Sequence, residues 1–200
     1  MLPGGMDWVF VKSPAWRRLA PVRSNFYRVL FWITALTFFE TVALRAATVF
    51  PTNAVWKYVT GTNEASSPDP AAWRLVNFDD APWLTGPAPF YYGEPLTGTL
   101  IPGMQNNFTC IFLRQKFTVT NRYEFGSLTL SARCDDGYIA WINGVEVARY
   151  NMPGGSVLFN GLALISVPEP VPYIATNIFN PSSLLVSGTN VIVATKAPSL

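Results

Sequence analysis

The sequence contains no histidine and only two cysteines among its 200 residues. Without histidine, Ser-His-Asp and Cys-His catalysis are excluded, and the commonest ligand of transition metals is missing. Charged residues are also scarce, at 13% of the chain, whereas 50% of the residues are hydrophobic. A chain of this length and composition has enough apolar side chains for one substantial core. The sequence therefore suits a single packed domain that does not depend on a histidine base.

Positive charge is concentrated at the N-terminus. The first 47 residues carry six Lys or Arg and two Asp or Glu. From Thr48 onward, eight Lys or Arg face ten Asp or Glu, which gives this part a net charge of −2. A basic surface of the kind that binds nucleic acid is not expected there. We predict no nucleic-acid partner.

The N-terminal segment has the pattern of an export signal. A cationic stretch up to Arg28 precedes an uncharged apolar run at residues 29–39, and small residues follow at Thr41 and Ala43. This run is too short to span a bilayer, since a membrane helix needs about 20 apolar residues. We expect residues 1–47 to be a cleaved signal peptide, a retained signal anchor or, as a third alternative, a buried helix. The chain is expected to be secreted, periplasmic or at the cell surface, with a membrane contact only if the leader is retained.

The two cysteines, Cys110 and Cys134, leave two alternatives open. In an exported chain they can form a disulfide. Residue parity argues for separate thiols, because Cys110 faces away from Phe117 and Val119 in one strand, whereas Cys134 shares the core face with Leu128. On that alternative one thiol is buried and the other lies on the surface.

Alternating apolar residues and tight turns predict an all-β fold. The dipeptide Asn143-Gly144 lies between two apolar runs and is the strongest short hairpin signal in the chain, because a type I′ turn needs positive φ at both positions. Strands are predicted at residues 55–60, 109–120, 128–134, 138–142, 145–150 and 190–195. Many short strands with glycine and proline between them indicate a sandwich or a barrel.

Proline and glycine break up the rest of the chain. Residues 86–103 are rich in both, which excludes a regular central strand there. Residues 157–167 allow one or two short strands. Residues 180–188 are predicted to form one helical turn, because Pro181 suits a first helical position and Gly188 suits a stop.

Seven short motifs follow one another between Trp56 and Val193. After Trp56 they are NFDDAPW (77–83), GPAPFYYGE (86–94), FLRQKFTV (112–119), DDGYIAWING (135–144), RYNMP (149–153) and LLVSGTNVI (184–192). In this order they resemble the galactose-binding-domain-like jelly rolls. That family includes the sugar-binding domains at the front of many β-galactosidase-type hydrolases and modules of large exported bacterial proteins.

The resemblance implies a jelly-roll β-sandwich over residues 48–200, preceded by the N-terminal signal helix. In such a fold the turn at Asp135 is the corner where the chain crosses between sheets, and Asn143-Gly144 is a hairpin within one sheet. The implied function is a non-catalytic carbohydrate-binding or interaction module with a glycan as partner. The alternative is a purely structural accessory domain that packs against a neighbouring catalytic or adhesive domain of a longer protein.

Candidate ligand-binding residues lie on predicted loops and strand ends. Tyr91, Tyr92 and Tyr150 suit stacking against a sugar ring, and Arg149 and Asn151 can hydrogen-bond to sugar hydroxyls. The alternative for Arg149 and Asn151 is a satisfied surface pair. Three tryptophans are expected to pack in the core instead: Trp56, Trp83 and Trp141.

Carboxylates offer a candidate metal site at one turn. Asp135 and Asp136 are candidate Ca²⁺ ligands, because Ca²⁺ prefers clustered carboxylates. The alternative is that they accept hydrogen bonds from nearby backbone N–H groups. An enzyme of glycans needs two carboxylates about 5 to 10 Å apart across a cleft, such as Glu94 with Asp136 or Glu146. No pattern brings these together, so we expect the protein not to be an enzyme.

Overall fold

The computed structural model describes residues 7–14, 47–93, 95–104 and 107–198. Its strands are β1 (Asp7–Pro14), β2 (Ala47–Phe50), β3 (Val55–Thr60), β4 (Leu84–Pro87), β5 (Phe90–Tyr91), β6 (Thr99–Leu100), β7 (Ile111–Val119), β8 (Phe125–Arg133), β9 (Gly137–Ile142), β10 (Val145–Tyr150), β11 (Ile174–Phe179) and β12 (Gly188–Ala197). The helical elements of these residues are short 3₁₀ helices: η1 (Ala72–Arg74), η2 (Arg122–Glu124) and η3 (Pro181–Ser183).

The strands form two large sheets that pack together. One has four strands in the order β11-β8-β1-β2, and the other has six strands in the order β10-β9-β12-β7-β3-β4. Neighbouring strands in both sheets are antiparallel. Strands β5 and β6 pair separately as a short parallel ribbon. The all-β class is confirmed, whereas the jelly-roll assignment stays a prediction.

The main core lies between the two sheets. Trp8 of β1 packs edge-on against Tyr138 of β9, with ring centroids 4.9 Å apart, and Phe50 of β2 packs against Trp56 of β3 at 5.5 Å. Leu113 in the middle of β7 is fully buried in the same cluster. Apolar area removed from water in this way is the dominant stabilising term.

A second apolar cluster covers the opposite face of the six-stranded sheet. Trp73 of η1 packs on Phe112 and Trp141, with ring centroids 5.0 and 5.8 Å away. Strand β9 is therefore covered on both faces, and each of its residues is buried. Trp56 and Trp141 are buried as expected, whereas Trp83 is only half-buried.

Strand β1 lies in a segment that the charge pattern assigns to the leader. It pairs with β8 on one side and with β2 on the other, and Trp8 and Phe10 are fully buried. Their alternation with Val9 and Val11 is that of a half-buried strand. The apolar run at residues 29–39, and with it the expected signal helix, lies outside the described residues. No helix of the described residues is long and apolar enough to cross a membrane.

Two further segments differ from expectation. Residues 157–167 form no strand, and β11 follows instead at Ile174–Phe179, where it pairs with β8 at the edge of the four-stranded sheet. The preceding prolines obscure its pattern in the sequence. The predicted helical turn is present as η3, and β4 ends at Pro87 on the edge of its sheet, where proline is tolerated.

The predicted corner and hairpin are both present. The chain crosses from the four-stranded to the six-stranded sheet between β8 and β9. Asn143 and Gly144 join β9 to β10 with φ values of 50° and 88°, as a type I′ turn requires. The Asn143 side chain accepts a hydrogen bond from the Val191 N–H at 3.0 Å and donates to Asn190 Oδ1 at 2.8 Å. The hairpin is thereby fixed to β12.

Both cysteines are free and buried, which corrects the two alternatives of a disulfide and of a surface thiol. The parity argument is right about the faces: Cys134 lies in the main core and Cys110 in the second cluster. A second apolar layer outside the sheet was not foreseen, and it covers Cys110. Burial raises the pKa of both thiols to about 12, so neither is a nucleophile at neutral pH.

Candidate functional site

A pocket of about 320 Å³ lies beside strand β10, where the second cluster meets solvent. Arg74 of η1, Trp141 of β9, Glu146 and Arg149 of β10, and the loop at residues 155–157 line it. Its volume is at the lower end of the range for small-molecule sites. Three charged side chains thus surround an aromatic ring in one concave surface.

Arg149 is held on all sides by the protein. Its Nε and Nη2 donate to the two carboxylate oxygens of Glu146 at 2.8 and 2.7 Å. Its Nη1 donates to the Pro153 carbonyl at 2.5 Å, and Nη2 also donates to the Gly155 carbonyl at 3.1 Å. This bidentate pair neutralises both charges and shapes the loop that forms one wall of the pocket.

Arg74 is in a different situation. Its guanidinium carbon lies 4.1 Å from the ring centre of Trp141 and 5.8 Å from that of Trp73. Its Nε is buried without a hydrogen-bond partner in the described part of the chain. Burial lowers the Arg74 pKa, and the charge of Glu146, followed by Glu64 and Asp69, only partly offsets this. The side chain is a stacked cation whose N–H groups are left unused.

Arg114 sets the position of Arg74. The Arg114 side chain is fully buried, and its Nη1 donates to the carbonyls of Trp73 and of Leu75, the latter at 3.2 Å. Its Nε donates to Asp80 Oδ2 at 2.9 Å. The two residues that flank Arg74 are thus fixed by their backbone to β7. The NFDDAPW and FLRQKFTV motifs meet in this contact.

The other predicted ligand residues lie away from the pocket lining. Tyr150 packs on Tyr138 with ring centroids 5.9 Å apart, at the margin of the main core. Asn151 Nδ2 donates to the Ile165 carbonyl at 2.6 Å, and its Oδ1 accepts from the Ile165 N–H at 3.2 Å. Tyr91 is half-buried in β5, and Tyr92 after it is 39% exposed. Of the five predicted residues, Arg149 alone lines the pocket.

Asp135 and Asp136 form the corner between β8 and β9. Asp136 is 5% exposed, and its Oδ1 accepts a hydrogen bond from the Val167 N–H at 2.7 Å. Burial and the neighbouring Asp136 raise the pKa of Asp135 to about 7, against the opposing charge of Lys196. No group of three or more Cys, Asp or Glu side chains in the described ranges could hold a metal ion. The Ca²⁺ site stays a prediction.

Among the charged residues that line the pocket, the sequence points to Arg149 as a ligand contact and to Glu146 as a candidate carboxylate, but not to Arg74. The prediction that Trp141 is buried in the core is confirmed. Its ring also stacks against the guanidinium of Arg74. The dipeptide Trp73-Arg74 lies in a stretch without clear periodicity, so no pattern marks it. The only signal is indirect, in the two motifs whose residues Asp80 and Arg114 hold η1.

No family model and no curated protein matches the chain. Among solved structures it is similar to a beta-glucuronidase from an uncultured Clostridium species, with a TM-score of 0.44 and 14% identity over 72% of this chain and 21% of that one. It is also similar to the Bifidobacterium dentium beta-glucuronidase complexed with coumarin-3-O-glucuronide, with a TM-score of 0.38 and 18% identity over 74% of this chain and 20% of that one. The chain spans about a fifth of the length of these enzymes.

Proposed function

We propose that the chain is a non-catalytic carbohydrate-binding module with a jelly-roll fold, and that its ligand site is the pocket between Arg74 and Arg149. The observation that carries this proposal is the unpartnered Arg74 guanidinium, which lies on Trp141 inside a concave surface. A pocket with an aromatic ring and free N–H donors suits a ligand rich in oxygen acceptors, and a sugar is such a ligand.

The carboxylates of the pocket support a binding rather than a hydrolytic function. Glycoside hydrolysis uses two carboxyl groups, one on each side of the scissile bond. Glu146 is the single carboxylate among the residues that line the pocket, and both its oxygens are bound to Arg149. Glu94, the other candidate acid, lies outside the described residues. An exported location is part of the proposal and rests on the pattern of the N-terminal segment; because β1 pairs with β2 and β8, it requires that this segment is not cleaved.

The test is calorimetric titration of the full chain against a panel of oligosaccharides. Ser156→Trp fills the pocket from its exposed loop, and we expect it to abolish binding. Leu158→Trp is the matched control, because Leu158 lies on the same loop, does not line the pocket and is 60% exposed. If Ser156→Trp binds as the wild type does while Tyr91→Ala and Tyr92→Ala lose affinity, the ligand site lies at β5 instead. Release of reducing ends from any bound oligosaccharide would contradict the non-catalytic assignment.

A structural accessory domain is the second candidate. Leu158, Leu164 and Ile165 are 60%, 64% and 67% exposed on one connection between strands, which favours contact with a neighbouring domain. Absence of binding across the whole panel favours this candidate over the first.

A further inference from the structure

We infer that the pocket selects an acidic saccharide, a uronic acid whose carboxylate binds the two Nη groups of Arg74. The inference rests on the proposed carbohydrate-binding function and adds the chemical class of the ligand. It starts from a contrast between three arginines. Arg114 and Arg149 each pair with a protein carboxylate, at 2.9 and 2.7 Å, whereas Arg74 has no such partner in the described part of the chain.

The stacking geometry leaves the Nη donors of Arg74 available to a ligand. A guanidinium that lies over an aromatic ring uses its flat face, so the N–H groups at its edge point away in the plane. With the guanidinium carbon 4.1 Å from the Trp141 ring centre, Arg74 has this arrangement. Nε is buried, so the end formed by the two Nη groups is the part of the guanidinium that meets the two oxygens of a carboxylate, in a bidentate contact. Ammonium groups and neutral amides do not offer this fork.

The net charge of the residues that line the pocket also favours an anionic ligand. Glu146 is bound to Arg149, so the three charged side chains of the lining have a net charge of +1. Glu64 and Asp69 act on Arg74 through space, without an ion pair. A half-buried cation without an ion-pair partner is unfavourable, because the charges of Glu146, Glu64 and Asp69 only partly compensate its lost hydration. A ligand carboxylate supplies the missing counter-charge, whereas a neutral sugar leaves the cost in place.

The experiment compares ligands that differ only at the carboxylate, which is either free or a methyl ester. The full chain is titrated calorimetrically with galacturonate and glucuronate oligosaccharides and with their methyl esters, at low and at high salt. We expect the acids to bind at least tenfold more tightly than the esters, since a hydrogen-bonded charge is worth about that factor or more. Their affinity should fall with salt as the ion pair is screened.

Variants of Arg74 assign the effect to this side chain. Arg74→Gln should remove the preference for acids over esters, and Arg74→Lys should restore only part of it. Arg122→Gln is the control, because Arg122 also stacks on an aromatic ring, that of Tyr123 at 4.9 Å, outside the pocket. Because Arg74→Gln also removes the cation–π contact with Trp141, we expect a small fall in melting temperature, and the acids and esters are compared well below it.

The outcomes separate this inference from the proposed function. Equal binding of acids and esters would overturn the inference and leave a neutral-sugar module. Binding of sulfated oligosaccharides without uronates would overturn the carboxylate assignment. If Arg74→Gln keeps the preference for acids over esters, the carboxylate binds elsewhere and the inference is wrong. A panel in which nothing binds, neutral or acidic, would overturn both.

Discussion

Asp80 and Asp135 show how neighbouring side chains give the same residue type opposite properties. Burial raises the Asp80 pKa, but the hydrogen bond and charge of Arg114, together with Lys116, outweigh it, and the pKa is lowered. At Asp135, burial raises the pKa and the adjacent Asp136 raises it further, to about 7. The ionised form of Asp80 therefore stabilises the folded state, whereas the folded state favours the protonated form of Asp135.

We predict that Asp135→Asn flattens the dependence of stability on pH. With a pKa of about 7 in the fold and 3.8 unfolded, wild-type Asp135 keeps its proton longer in the folded state. The free energy of unfolding should then fall as pH rises between about 4 and 7. The amide cannot ionise, so the variant should be the more stable protein at pH 8. Urea unfolding at pH 5 and pH 8 measures this.

Asp80→Asn is the control for that experiment. Its pKa is depressed in the fold, so the wild-type carboxylate contributes stability above pH 3.8 and loses it as pH falls further. Removal of this charge should destabilise the protein at neutral pH, because Arg114 is left buried without its counter-ion. Identical pH profiles for wild type and Asp135→Asn would contradict the assignment of Asp135.

At the scale of elements, the hairpin between β9 and β10 allows a sharp test. Gly144 has φ of +88°, and a Cβ atom there would lie 3.0 Å from Leu75 Cδ2. A β-branched residue is strained in this conformation. We expect Gly144→Val to lower the free energy of unfolding by roughly 2 kcal/mol. Denaturant unfolding gives the value.

Gly154→Val is the matched control for the hairpin. Gly154 has no atom within 4 Å of an added Cβ and does not have the positive φ of Gly144. This variant should be close to wild type. If the two valine variants have the same free energy of unfolding, the fold does not need a positive φ at residue 144, and the type I′ turn is contradicted.

Local pattern explains which elements could be predicted. Strands β3 and β10 have the bounds that alternation and turn residues indicate, and β7, β8, β9 and β12 differ by a few residues at their ends. Strand β11 was missed because prolines precede it, and β1 because its residues adjoin a cationic, leader-like stretch. These strands exist through pairing with β8, which no local window contains.

The site was less predictable than the strands because its geometry is long-range. Arg149, which lines the pocket, was predicted from its motif. Arg74 depends on Arg114, which lies about 40 residues further along and binds the carbonyls on both sides of it. Hydrogen bonds from a side chain to a distant backbone leave no periodic trace in a sequence. Such contacts become visible only when the fold is known.

At the scale of the whole molecule, β1 joins the two sheets through the main core. Trp8 packs against Trp56 and Tyr138 of the opposite sheet. We predict that Trp8→Ala lowers the free energy of unfolding by about 3 to 5 kcal/mol, the usual cost of removing a large buried aromatic side chain. Chemical denaturation of the full chain measures it.

The neighbouring residue provides the control for β1. Val9 points to the other face of the strand and is only partly buried, so Val9→Ala should cost much less than Trp8→Ala. If residues 7–14 do not contribute to the fold, both variants will unfold at the wild-type denaturant concentration.

The place of β1 between β8 and β2 also fixes an order of events during synthesis. Asp7 pairs with Arg133, so β1 is synthesised roughly 120 residues before β8, and until then only β2 of its two partner strands is available. At about 5 to 20 residues per second, this delay is about 6 to 25 s. During that time β1 can pair with β2 alone, and Trp8 lacks its contact with Tyr138 of β9. Strand β1 is therefore made early but completes its pairing late, once β8 has been synthesised.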